Sequence, residues 1–327
     1  MPAFGSNASL YVTNQASMGS TAPNSWTTFP FANSNMEFSY AELTDDSITG
    51  LVDDPDVVRG IGGVAGSIEG NFNPITAGIL LRGLFGVSSV GAVGSGYTHS
   101  FLPNTGPWSD KCSNPPLGFA LNAGESGISS SYLFQDVFIN NVEISVAAGN
   151  YIRMRANVLG KTGGLMTTPA SPVSHAEVKP IAWSAVSLSI GGAGVQRFSD
   201  IRFTFNNNIA AQDRIDGTAT HTFFFREGFR QFARFSGTID ISQTDYLTFY
   251  NGTETSLSMF ALGVTSISSG VNEFLKIDIP RLVYTKYPVN VPGPGIITIG
   301  IEGRGMYKAS SGRVCSIVLQ NSKATYA

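Results

Sequence analysis

Short runs in which apolar and polar residues alternate recur along the whole chain. The clearest runs place an apolar residue at every second position in three segments, 142–146, 152–158 and 297–301. Because successive side chains of a strand point to opposite faces of a sheet, this period of two predicts strands with one buried face. Gly, Pro and Asn separate the runs, as expected of turns. The pattern therefore predicts a mainly β protein.

Two segments depart from this period and predict helices. Pro74–Phe85 opens with a proline, which suits a first helical turn, and places four apolar residues on a common face. Ser242 is positioned to cap a second helix, which Asn251–Gly252 would end. We expect one helix in each half of the chain.

Landmarks of the first half reappear in the same order in the second half. Asn35–Tyr40 resembles Asp200–Phe205, and Gly66–Glu69 resembles Gly237–Asp240. Self-similarity in a fixed order indicates a duplicated unit. The identities are few, so chance likeness between two alternating β sequences stays open. We expect two tandem, similar β-sandwich or half-barrel domains, each with one flanking α-helix.

The composition of the chain suggests where these domains begin and end. We expect an N-terminal arm at 1–35 that can include the first strand, a first domain at 36–165, a linker at 166–185 and a second domain at 186–327. The arm is rich in Ser, Asn and Thr, and the linker contains Pro and polar residues.

The chain carries little charge for its length. Only 13% of the 327 residues are charged, about half the usual share for a soluble domain. A soluble monomer with so few charges would tend to self-associate. This composition indicates that much of the surface is buried in an assembly.

The two halves carry opposite charge. There are 12 acidic and 6 basic residues up to position 165, but 11 acidic and 14 basic residues after it. A long acidic loop spans 42–59, and a basic patch lies in the second half. We expect these to contact each other between copies, through Glu42, Asp45, Asp46, Asp53, Asp54, Asp56 and Arg59 on one side and Arg226, Arg230 and Arg234 on the other.

Motifs that would carry chemistry are missing or out of context. Gly60–Ala65 matches a dinucleotide-binding fingerprint but lacks the following helix and acidic residue, so glycines in a β-corner explain it better. His99, His175 and His221 are far apart in the sequence, and we interpret them as surface or interface residues. We interpret Cys112 and Cys315 as small apolar residues that fill the core. We expect no enzyme, no cofactor and no metal.

Nothing in the sequence marks it for a membrane or for export. Apolar runs are interrupted well short of the roughly 20 residues that a bilayer helix needs. The first residues lack a basic and then apolar signal pattern, so we expect the chain to remain in the cytoplasm where it is made. A sequence pI near 5.6 is also opposite to the basic footprint of a dedicated nucleic-acid binder.

The chain resembles the major tail tube proteins of long-tailed bacteriophages. The likeness rests on the corner at Val58–Phe72 that leads into the helix at Pro74–Phe85, and on Ile279–Tyr284 followed by Val291–Ile299. It also draws on a terminal strand at Val314–Asn321.

This resemblance implies a structural virion protein, made in the host cytoplasm, that forms stacked rings around a lumen for DNA ejection. A doubled unit implies homotrimeric rings with pseudo-sixfold symmetry. Implied partners are further copies, the tape measure, the tail terminator and the distal tail or baseplate, with only transient, non-specific passage of DNA. We add the hypothesis that the acidic loop at 42–59 projects axially and docks on a neighbouring ring, with a solvated acidic loop as the alternative.

Two other functions stay open at this level. The same composition suits a capsid decoration or baseplate component. A carbohydrate-binding β-sandwich would use aromatic residues such as Trp108, Tyr132 and Tyr151. Host, tail type and lumen-facing residues are beyond the sequence.

Overall fold

The fold is built almost entirely from antiparallel strands. The computed structural model describes residues 5–21, 25–44, 57–103, 114–124, 130–169, 172–174, 178–227, 231–289 and 296–326. Strands dominate this part of the chain, and two α-helices accompany them. The prediction of a mainly β protein is confirmed.

The first half of the chain contains eleven described strands and one helix. The strands are β1 (Ser9–Asn14), β2 (Thr27–Phe29), β3 (Asn33–Ser34), β4 (Glu37–Thr44), β5 (Val57–Asn71), β6 (Gly86–Val93), β7 (Gly96–Pro103), β8 (Leu117–Asn122), β9 (Ser130–Ala147), β10 (Arg153–Gly160) and β11 (Thr162–Thr167). The helix is α1 (Ala77–Phe85), between β5 and β6.

The second half contains ten described strands and one helix. The strands are β12 (Val186–Ile190), β13 (Ala193–Val195), β14 (Phe198–Asn206), β15 (Ile209–Gln212), β16 (Phe223–Arg226), β17 (Ala233–Asp240), β18 (Thr255–Ser268), β19 (Val271–Lys286), β20 (Thr298–Gly305) and β21 (Ser316–Asn321). The helix is α2 (Gln243–Tyr250), between β17 and β18.

Eight of these strands form one continuous sheet, which we call the main sheet. Its order is β4-β5-β10-β9-β14-β17-β20-β19, and every neighbouring pair is antiparallel. The two halves of the chain meet in the middle, where β9 pairs with β14 from Asn141↔Asn206 to Ala147↔Asp200. The main sheet therefore runs through both halves without a break.

The main sheet divides into two groups of four strands with the same pairing order. The first group is β4-β5-β10-β9 and the second is β14-β17-β20-β19, with the helix of each half following the second strand of its group. A glycine marks the same position in both. A Cβ at Gly66 would lie 2.6 Å from the carbonyl oxygen of Asn35, and a Cβ at Gly237 would lie 2.8 Å from that of Asp200. Both positions need glycine because a neighbouring backbone passes so close.

Several of the remaining strands connect the halves a second time. Strands β1, β2 and β8 join the first part of β9, and β12 and β13 extend from β18. The C-terminal strand β21 lies between β7 of the first half and β19 of the second. Accordingly one hydrophobic cluster, from Leu10 to Tyr326, spans both halves.

Helix α1 begins later than the sequence indicated. Residues 74–76 form a turn instead, because the Asn73 side chain accepts hydrogen bonds from the backbone N–H groups of Ile75 and Thr76, at 2.9 and 3.1 Å. The helix is also not amphipathic: all of its residues except Arg82 are buried. The C-terminal segment covers it, with Tyr326 packed directly against Gly78.

Helix α2 lies where the sequence predicted it, but the predicted side-chain cap is wrong. Ser242 occupies the N-cap position without a side-chain cap hydrogen bond. Its backbone is bound to the Tyr287 hydroxyl instead, which donates to the Ser242 carbonyl at 2.9 Å. No residue of α2 is buried, so this helix rests on the fold through partial contacts such as the Arg197–Asp245 ion pair at 2.6 Å.

One histidine differs from the surface position expected of all three. His99 is completely buried, and its Nε2 lies 2.7 Å from the Lys323 carbonyl oxygen. Burial lowers the pKa of this imidazole, which favours its neutral form. Cys315 is buried, as a small apolar filler would be, whereas Cys112 and His175 lie outside the described residues.

Candidate assembly surface

The main sheet has one apolar face and one polar face. Val64, Ile144, Phe203 and Phe235 point into the core, and the residues between them point away from it. We call the face turned away from the core the polar face. Where the eight strands pair with one another, and leaving aside the β4–β5 pairs beyond Tyr40↔Gly62, this face carries six basic and six acidic side chains. They are Arg153, Arg155, Arg202, Arg234, Lys286 and Arg304, and Glu37, Glu69, Glu143, Asp200, Asp240 and Glu302.

Ion pairs between adjacent strands neutralise part of this polar face. The Arg153 and Glu69 side chains approach to 3.3 Å, Arg202 and Glu143 to 3.4 Å, and Lys286 and Glu302 to 3.1 Å. All three pairs are substantially exposed, so each contributes little to folding stability. Their effect is to reduce the positive potential that arginines would otherwise present to a polyanion.

Both ends of the main sheet have backbone groups without a strand neighbour among the described residues. At one end β4 pairs only with β5. At the other end, β20 pairs with β19 only from Glu302 onward. The β20 segment Thr298–Ile301 is therefore paired with β17 on one edge, and its other edge has no partner among the described strands. Unpaired strand edges are templates for pairing with another chain. The edges belong to different halves of the protein, so they form two distinct surfaces.

Beyond the main sheet, β4 and β5 continue as a two-stranded ribbon formed by residues 40–44 and 57–61. Several large apolar side chains of this ribbon are exposed, notably Leu43 at 58%, Val57 at 54% and Val58 at 62%. A group of exposed apolar residues on an extended ribbon marks an interaction surface. The ribbon leads directly into the acidic segment of the sequence.

The structure describes only the ends of the predicted acidic loop. Glu42 and Arg59 are exposed and face each other across the ribbon as paired residues of β4 and β5. The Arg59 guanidinium also lies over the Tyr40 ring, 5.2 Å from its centroid. Five predicted contact residues, Asp45, Asp46, Asp53, Asp54 and Asp56, lie outside the described residues.

The three predicted basic residues have different surroundings. Arg226 binds within the chain, donating from Nη2 to Asn114 Oδ1 at 2.8 Å. Arg230 lies outside the described residues. Arg234 is exposed on β17 and directly opposite Arg304 of β20. Of the three, Arg234 has the surroundings expected of a residue that binds a partner.

The sequence analysis missed the two residues that make this region strongly basic. Arg304 and Arg313 line a cavity of about 310 Å³ next to Phe232. Both have a buried Nε without a hydrogen-bond partner among the described residues. Like charges directly opposite each other across strands are destabilising, as for Arg234 and Arg304, unless an anion compensates them. The alternation Ile299, Ile301, Gly303 in β20 could have placed Arg304 on the polar face, but its neighbours come from distant segments.

Comparison with known protein families identifies the family of the chain. A family model described as phage tail tube protein matches residues 5–305 of the 327. The chain belongs to the phage tail tube protein family. No curated protein matches the sequence.

Membership of the tail tube family settles the broad role of the protein. Tail tube proteins are structural and not enzymes, and they belong in the virion tail. This agrees with the mainly β fold and with the sequence-based expectation of a tail tube protein. Among the described residues, neither helix is long and apolar enough to span a membrane.

Proposed function

We propose that copies of this chain join edge to edge into closed rings, and that these rings stack into the tail tube. The observation that carries this proposal is the β9–β14 junction, where the two strand groups of one chain pair along seven residues. The same kind of junction between chains would join the edge of β4 to the unpaired edge at the second strand group of a neighbour.

The two edges have the geometry that ring closure needs. They lie at opposite ends of the strand order, so the contact between copies is heterologous, with different surfaces on each side. A heterologous contact gives a ring when its rotation closes and an open filament when it does not, and the proposal is that it closes here. Closure also removes both edges, which would otherwise cause aggregation. This explains how a chain with so little charge avoids uncontrolled association.

The repeated pairing order supports a duplicated unit and a trimeric ring. Each chain contributes two strand groups of the same order, so three chains supply six nearly equivalent groups around the axis. We infer a homotrimer with pseudo-sixfold symmetry on this basis. The domain boundaries at 36–165 and 186–327 are part of the same proposal.

The polar face of the main sheet is the proposed lining of the lumen. Its six basic and six acidic side chains balance, and three of the basic ones are held in ion pairs. Binding to DNA depends strongly on the number of phosphates that basic groups neutralise. A lining without net charge, or with the net negative charge that remains where a neighbouring chain covers basic residues, lets DNA pass through the tube without being retained. Other tail proteins, including the tape measure, the tail terminator and the distal tail or baseplate, are the proposed partners at the tube's interior and ends.

Electron microscopy of the purified chain tests this function. Negative staining should show long hollow tubes, or single rings at low protein concentration. Isolated particles that never form rings, and bind only to capsids, would instead indicate a decoration protein. Glycan binding by a persistent monomer would indicate the carbohydrate-binding alternative.

A further inference from the structure

Each strand group has a long connection between its first and second strands, and in the second group this connection contacts the first group. In the second group, residues 206–232 connect β14 to β17 and contain the hairpin β15–β16. In the first group, residues 41–61 occupy the same place between the paired parts of β4 and β5. Both connections leave from the same end of their strand group.

The hairpin β15–β16 folds back over the first strand group. Phe224 packs on Phe138 of β9 with ring centroids 5.2 Å apart, in a small apolar cluster that includes Leu159. The backbone N–H of Gly62 donates to the Ala219 carbonyl at 2.8 Å. The hairpin thus crosses from β9 over β10 to the start of β5.

Anchoring polar groups fix the hairpin in this position. The Asn207 side chain is completely buried and donates to the carbonyls of Leu84, at 2.6 Å, and Ile139, at 3.0 Å. Arg226 donates to Asn114 nearby. This connection of the second group is therefore a clamp on the group that precedes it.

The surface that the clamp covers has an equivalent in the second strand group. When Gly66 of the first group is matched to Gly237 of the second, the strand pairings of the two groups relate equivalent positions. Phe138 then corresponds to Lys286, Lys161 to Arg304, and Gly63 to Arg234. We call Lys286, Arg304 and Arg234 the basic track. All three lie on the polar face, and Arg304 and Arg234 oppose each other. Two of the covered positions in the first group, Phe138 and Gly63, carry no charge, whereas Lys161 is basic like Arg304. In the second group all three positions are basic, and Arg234 and Lys286 are exposed among the described residues. Lys286 is paired with Glu302, so the excess positive charge comes from Arg234 and Arg304.

We infer that the acidic connection at 41–61 of one copy crosses the basic track of the neighbouring copy in the same ring. This inference rests on the ring proposed above. The connection carries Glu42 and the carboxylates at 45–56 in its sequence, and its ribbon exposes Leu43 and Val57 for contact. Arg304 and Arg313 line the cavity of about 310 Å³, and their Nε atoms have no hydrogen-bond partner among the described residues, so a carboxylate that enters this cavity meets charged donors. The contact is lateral, within a ring, and takes the place of the axial docking hypothesised from the sequence.

Charge reversal on each side, followed by a charge swap, tests the contact. One variant carries Asp53→Lys, Asp54→Lys and Asp56→Lys, a second carries Arg234→Glu and Arg304→Glu, and a third combines all five changes. Each of the first two should raise the concentration needed for ring formation by about tenfold or more, because like charges now face each other across the contact. The third should recover assembly to near the wild-type concentration.

A matched control reverses two basic residues away from the basic track. Lys179→Glu with Lys276→Glu changes the net charge as much as the basic-track variant, and should assemble as the wild type does. Thermal unfolding of each monomer checks that all variants fold. Reversed variants that fold and form rings at the wild-type concentration would overturn the inference, while the tube function would stand. A wild-type chain that forms no rings would instead contradict the proposed function.

Zero-length carbodiimide cross-linking of isolated single rings separates lateral from axial docking. The Lys286–Glu302 pair, at 3.1 Å, supplies an internal positive control within each chain. Peptides that link Lys286 to the segment 45–56 of another copy should appear in single rings. Their appearance only in stacked tubes would overturn the lateral contact in favour of docking onto the next ring.

Discussion

Phe224 of the second half packs against Phe138 of the first, with their ring centroids 5.2 Å apart and both side chains almost fully buried. This contact fixes the clamp, the connection 206–232 of the second strand group, against the first strand group. Phe224→Ala should lower the free energy of unfolding by about 3–5 kcal/mol, because it removes a buried aromatic ring and leaves a cavity. Urea denaturation measures this cost. Phe225→Ala, at a half-buried position of the same strand, should cost clearly less; equal costs would show that the clamp has no special role.

Gly66 and Gly237 should respond alike to substitution. Alanine at either would place Cβ within 3 Å of a backbone oxygen, and Gly66 also has a φ of +146°. We expect Gly66→Ala and Gly237→Ala each to cost about 1–3 kcal/mol or more of folding stability. Gly91→Ala is the control, since its Cβ would meet nothing within 4 Å. A neutral effect at Gly237 would argue against equivalent positions in the two halves.

The C-terminal segment should be essential for stability. Tyr326 is 2% exposed, and its hydroxyl receives a hydrogen bond from Asn321 Nδ2 at 2.6 Å. Its backbone carbonyl accepts from Asn14 at 2.8 Å and from Arg82. Tyr326→Ala should cost about 3–5 kcal/mol, judged from large-to-small substitutions in cores. Tyr326→Phe, which loses only the hydroxyl, should cost about 1–2 kcal/mol. Thermal unfolding of both variants distinguishes ring packing from hydrogen bonding.

Glu273 should make stability depend on pH. Its side chain is 1% exposed, and this burial raises the pKa of the carboxyl to about 7, despite a hydrogen bond with Thr265 that lowers it. Because the folded-state pKa lies above the unfolded value of 4.5, the protein loses stability as the pH rises from about 4.5 to 7. The loss due to this group is on the order of 3 kcal/mol.

Replacing this carboxyl should remove the pH effect. The unfolding free energy of the wild type minus that of Glu273→Gln should decrease between pH 4.5 and pH 7, measured by urea denaturation. The difference isolates this carboxyl from His99, whose lowered pKa makes stability rise with pH. The corresponding difference for Glu302→Gln, at an exposed ion pair, should not show this decrease. A difference for Glu273→Gln that does not change with pH would contradict the assignment.

Much of the fold follows from local sequence pattern. The alternation at 152–158 predicted β10, and that at 297–301 predicted β20, because one buried face imposes a period of two. The sequence also located both helices to within a few residues. It could not show that α1 is covered on all sides, since β7, β9 and Tyr326 are separated from it along the chain.

The candidate contact surface was harder to predict. Glu42 and Arg59 were assigned to a loop, but both are paired residues of β4 and β5, because these strands extend further than the sequence pattern indicated. Arg234 lies exposed on a strand, and Arg226 binds within the chain. The basic track combines residues from three strands that are distant in sequence, and only strand register brings them together. The sequence predicted a β-rich fold and opposite charge in the two halves, but not which arginines would be adjacent.

The rotational symmetry of a single ring tests the central claim most directly. End-on class averages from electron microscopy should show three chains per ring, with six similar densities around the lumen. Six chains in a ring, or particles that never close, would contradict the account of two tandem strand groups joined edge to edge.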